Sequence, residues 1–180
     1  MLAFVHLSGL AFVAATLLAT GSAHLVGVAG FARLLRQHGL LPDALAAPLA
    51  MLVTGTELTI GLAALAALLG GDPRLATAAF AAALGAGGMF VVYLRRLVRA
   101  GHTGSCGCSP LASPLTPASF VPAASLVATG AIGLLARWAT VALPRPGVWS
   151  SLAIAWGLTL AALVLLLPAT APGNVAEARP

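Results

Sequence analysis

Five runs of apolar and small residues follow one another along this chain, each long enough to cross a bilayer at about 20 residues per crossing. They extend over Leu2 to Val28, Ala44 to Leu69, Arg74 to Leu97, Pro117 to Val141 and Val148 to Leu167. Between them stand residues that stop helices and turn chains: Gly39 and Pro42, then Gly70, Gly71, Asp72 and Pro73, and later Pro144, Arg145, Pro146 and Gly147. Thr116 before Pro117 reads as an N-cap followed by proline at the first helical position. Pro48 falls in the first turns of the second run, where proline does least harm. No stretch carries a strand signal, and none repeats another.

The pattern predicts an all-α fold, a polytopic transmembrane helical bundle of four core helices plus a fifth. The bundle occupies residues 1–168, with its core over about 1–141, and a tail at 169–180 has too little apolar surface to order itself. The first run invites comparison with a secretory signal, because Ala19, Gly21, Ser22 and Ala23 are small enough for cleavage. It has no basic n-region and exceeds the usual apolar length, so it is read as a membrane helix. Arg33 to Pro42 then forms an amphipathic exit from the membrane. In the third run, Ala81 with Gly85 and Ala83 with Gly87 are small residues four apart, the spacing that lets membrane helices approach closely.

Composition agrees. With 60% hydrophobic and 7% charged residues and a mean hydropathy of +1.03, the 180-residue chain has too little polar surface for a soluble globule. The net charge of +5 comes from arginines at the ends of apolar runs, which would meet lipid head groups. They are not interleaved with aromatics on a soluble face, so nucleic acid is not an expected partner. Counting helices puts Arg33, Arg36, Arg95, Arg96, Arg99 and Arg179 on one side, against Arg74, Arg137 and Arg145 on the other. By the positive-inside rule, the loop after the third run is then cytoplasmic.

That loop holds the only two cysteines, Cys106 and Cys108, on either side of Gly107. Cysteines in such a polar, small-residue loop are not core packing. A disulfide between them is sterically possible but tight, and a strained disulfide is easily reduced, which suits a redox pair better than a staple. Oxidised thiols belong in an extracytoplasmic space, so this chemistry and the arginine count point to opposite sides. Two other readings stand beside the redox one: His102, Cys106 and Cys108 as a soft-metal cluster, and an inert loop. In the second run Glu57 falls near mid-membrane, where an ionised acid costs about 2.5–3.5 kcal/mol. It is either a proton-handling group or a neutral hydrogen bonder between helices. His24 is its candidate partner, although counting from Arg33 and Asp43 leaves the two about five residues, or roughly 7 Å, apart in depth. Tyr93 and the three tryptophans are read as interface or packing aromatics.

One family unites these features. Ser22, Ala23, His24 and Leu25, then Gly30 and Phe31, the run Arg36 to Pro42, Glu57, Leu58 and Gly61, and finally Cys106, Gly107 and Cys108 together resemble the methylamine utilisation protein MauE family, relatives of the DoxX-like four-helix membrane proteins. Departures are His24, where a lysine is common, and Ser109 and Pro110, where Phe and Gly are usual. The resemblance implies a multi-pass protein of the cell inner or plasma membrane that helps mature an exported, disulfide-rich client alongside a thioredoxin-like protein. Cys106 and Cys108 would carry the electrons. A quinone could be their sink, as in the DsbB-like proteins that share only this general plan, although no residue of the sequence marks a quinone site. A solute or soft-metal carrier and a non-catalytic assembly factor are the alternatives.

Overall fold

The computed structural model describes residues 1–102, 104, 115–136 and 147–170. Six α-helices make up the described chain: α1 (Leu2–Val26), α2 (Val28–Gln37), α3 (Asp43–Gly70), α4 (Pro73–Arg99), α5 (Phe120–Ala136) and α6 (Val148–Thr170). No strand occurs among the described residues. The predicted spans agree with α1, α3, α4, α5 together with the turn before it (Pro117–Ala136), and α6, all long and apolar enough to cross a membrane. Residues 137–146 and 171–180, which include the end expected for the fourth span and most of the expected tail, lie outside the described residues.

Helix α1 is the centre of the bundle. It packs against α3 on one side and α6 on another, while α4 pairs with α5 and leans on α3. Its side chains Leu10, Val13 and Leu17 are fully buried together with Phe80 of α4. Small residues set the close approaches. A Cβ added at Gly130 of α5 would lie 2.8 Å from the Phe80 carbonyl, and one at Gly157 of α6 would lie 2.3 Å from the Ser8 carbonyl. Close backbone contact of this kind is how helices gain van der Waals attraction in lipid, where burial from water contributes nothing. Of the two predicted small-residue pairs, only Ala83 and Gly87 meet a helix, and that helix is α5. Ala81 and Gly85 are exposed. Two residues of offset is about 200° around a helix, so the pairs face nearly opposite ways.

The turns form much as the sequence indicates. Gly71 closes α3 with φ +68°, and the Asp72 carboxylate accepts from the backbone N–H groups of Arg74 (2.8 Å) and Leu75 (3.2 Å) to cap α4. Thr116 stands at the N-cap with Pro117 after it, as the sequence indicates, and its backbone N–H donates to Ser119 Oγ at 3.1 Å in a capping box. A short 3₁₀ turn, Pro117–Ser119, therefore precedes α5.

The first predicted helix divides at Gly27. Beyond the break, α2 lies along the first half of α3, where Ala32 and Leu35 bury against Ala46 and Ala50. Gly39, at φ +61°, then turns the chain back towards α3. Because the helix breaks at Gly27, residues cannot be counted along one axis from Arg33 back to His24, and the depth difference expected between His24 and Glu57 does not keep them apart.

Candidate functional site

Glu57 faces inward from the middle of α3, and His24 faces it from the last turn of α1. His24 Nδ1 is 2.8 Å from Glu57 Oε2, with both residues buried. Gly21, one turn before His24, makes the approach possible: a Cβ there would lie 3.2 Å from the Glu57 Cβ. Thr54 does not serve Glu57, since its hydroxyl donates to the Ala50 carbonyl at 2.8 Å. Thr59 is likewise turned to its own helix, donating to the Gly55 carbonyl. Phe31 of α2 stacks on the His24 imidazole, with centroids 4.3 Å apart and planes 5° from parallel. The break at Gly27 brings that ring back over the histidine.

The pair is neutral as a whole whether it exists as carboxylic acid with imidazole or as carboxylate with imidazolium. In either form the two groups place no net charge inside the bundle.

Glu57 also lines a cavity of about 670 Å³ between α2, α3 and α4. Its wall is mostly apolar, including Leu49, Val53 and Phe90, and its polar residues are Thr56, Glu57, Tyr93 and Arg96. Tyr93, expected only as an interface or packing aromatic, has a second contact: its hydroxyl is hydrogen bonded to His38 Nδ1. His38 is buried, and its ring lies 5.7 Å from that of His102. The loop after α2 and the segment after α4 thus meet at one end of the bundle. Nothing in the sequence singled out His38 and Tyr93 as a pair. The available signal was that His38 is the one titratable residue beside the Gly39 stop.

Of the predicted site residues, Glu57 is joined to its candidate partner His24, and the His102 ring lies beside that of His38. Cys106 and Cys108 lie outside the described residues, as does their part in the soft-metal alternative with His102.

The family model for methylamine utilisation protein MauE matches residues 1–136. The chain belongs to the MauE family. The match takes in α1 to α5, so the His24–Glu57 pair, every cavity residue, His102 and both cysteines fall within the MauE region, and α6 falls outside it. Membership makes this a multi-pass membrane protein of methylamine utilisation. Neither the curated proteins nor the solved structures give a match.

Proposed function

We propose that this MauE-family protein supports disulfide formation in, or maturation of, an exported partner protein through the Cys106 and Cys108 pair, at the cell inner or plasma membrane. The observation that carries the reading is the contact of His102 with His38 and, through it, Tyr93. The chain four residues before Cys106 is held against the bundle beside groups that can accept and pass protons. In the oxidising direction, a thiolate of the partner attacks one sulfur of the Cys106–Cys108 disulfide and forms a mixed disulfide. A second partner thiolate then attacks that bond, leaving the partner with the disulfide and this protein with two thiols. A thioredoxin-like protein is the natural relay to the client.

Replacing either cysteine with serine is expected to abolish client oxidation. Cys108→Ser alone should trap a mixed disulfide with the partner, visible as a reducible band that mass spectrometry identifies. Full client oxidation in the Cys106→Ser, Cys108→Ser double variant would refute the thiol role. One observation favours a second reading. His38 and His102 bring two imidazoles to the loop, so thiolate and imidazole could instead hold a soft ion. Stoichiometric Cu(I) or zinc binding that is lost in Cys108→Ser would decide for that reading.

A further inference from the structure

A thiol pair that oxidises partners must itself be reoxidised, and that two-electron step needs an acceptor within the membrane or beside it. The cavity between α2, α3 and α4 has the shape and chemistry of such a site. It opens to the bilayer between α3 and α4, where Leu52 is 65% and Met89 69% exposed on the lipid-facing surface. An occupant can enter from lipid. Its volume of about 670 Å³ lies within the range of pockets that enclose a small organic ligand.

The polar groups are arranged at two levels. Glu57 lies thirteen residues before Gly70 and Ala86 thirteen after Pro73, so they stand level across the α3–α4 hairpin. Tyr93, seven residues beyond Ala86 on α4, is then about 10 Å nearer the membrane surface. A flat ring with one acceptor oxygen at each end, each taking a hydrogen bond of about 2.8 Å, is of the same order as that axial separation of the two residues. An acyl chain would use neither end.

We infer that this cavity binds a membrane quinone, with one carbonyl directed to the Glu57–His24 pair and the other to Tyr93. The inference rests on the thiol reading for its electrons but not for the binding itself. In the step, the Cys106 and Cys108 dithiol loses two electrons and two protons to become a disulfide. The quinone gains the same two electrons and two protons to become the quinol. Tyr93, His38 and His102 offer a route for a proton from the loop to one quinone oxygen; Glu57 with His24 delivers a proton to the other, and the second thiol proton restores the pair. The quinol leaves into lipid through the opening between α3 and α4.

The test uses the purified full chain in lipid nanodiscs and titrates it with decylubiquinone. Gly88 lines the cavity, and a Cβ there meets nothing within 4 Å, so Gly88→Leu enters the cavity from a position where the first added carbon displaces no protein atom. Gly85 is equally open but does not line the cavity, and Gly85→Leu is the matched control. Saturable one-to-one binding is expected for the wild type, for Gly85→Leu and for the double serine variant of Cys106 and Cys108. A loss of at least tenfold in affinity is expected for Gly88→Leu and Glu57→Gln. Chemically reduced wild type should convert decylubiquinone to its quinol, and the double serine variant should bind without converting it. No saturable binding in the wild type, equal binding in Gly88→Leu, or equal competition by dodecanol, which has a tail but no ring, would overturn the proposal. Intact client oxidation together with absent quinone binding would remove this inference alone. Quinone binding without thiol turnover would remove the thiol reading and leave the site.

Discussion

Glu57 shows how one residue can be both a structural and a chemical element. Its partner His24, 2.8 Å away, is what makes a carboxyl tolerable at that depth, since a buried ionisable group left alone costs several kcal/mol. Glu57→Gln keeps a hydrogen-bonding group opposite His24 but removes the proton. It is expected to change stability by no more than about 1 kcal/mol and to abolish turnover. Glu57→Leu strands the imidazole and is expected to cost about 1–3 kcal/mol, read as a lower midpoint of thermal unfolding in detergent. Equal stability of the Gln and Leu variants would show that the pair contributes no hydrogen bond of consequence. From the residues, Glu57 was legible as costly and His24 as its candidate partner. Their contact was not, because it depends on where the first helix breaks, and Gly27 lies in a run of apolar residues with no polar neighbour to mark it.

At the scale of helices, spans were legible and faces were not. Apolar run length fixes a membrane crossing within a few residues, and every predicted span has its helix. Which side of a span meets a neighbour is hidden, because lipid and protein neighbours are both apolar and α3 shows no amphipathic bias to read. The pairs Ala81 with Gly85 and Ala83 with Gly87 were equivalent in sequence, and only the second packs. Gly87→Leu would push its Cβ to 2.9 Å from the Ala123 carbonyl and part α4 from α5. We expect it to lower the yield of folded protein and the unfolding midpoint, whereas Gly85→Leu leaves both unchanged. Size-exclusion chromatography and thermal unfolding in detergent would check this, and identical behaviour of the two variants would contradict the α4–α5 packing. The link from Tyr93 to His38 was also beyond the sequence, since it joins residues 55 apart through a loop whose course follows from α2 folding back on α3.

For the whole molecule, the polar equipment gathers at one end. Five spanning helices put the loop after α1, the segment after α4 and the end of α6 on the same side. The contact between His38 and His102 agrees with that grouping of the first two. Arg33, Arg36, Arg95, Arg96 and Arg99 belong to this end and favour the cytoplasm, whereas the proposed disulfide chemistry favours the opposite face. A membrane-impermeant maleimide applied to intact, reduced cells distinguishes them: labelling of Cys106 and Cys108 before lysis places the loop outside, and labelling only after lysis places it in the cytoplasm. A client that is exported requires the first result.

The redox state of the two sulfurs in native membranes tests the account most directly. Cells are quenched in acid, free thiols are blocked, and the protein is then reduced and alkylated with a mass tag. A fraction carrying two tags per chain is expected from the internal disulfide, with one tag on chains caught in a mixed disulfide, and the two-tag fraction should grow when the membrane is held oxidised. Cys106 and Cys108 found fully blocked as free thiols under every condition would contradict the account.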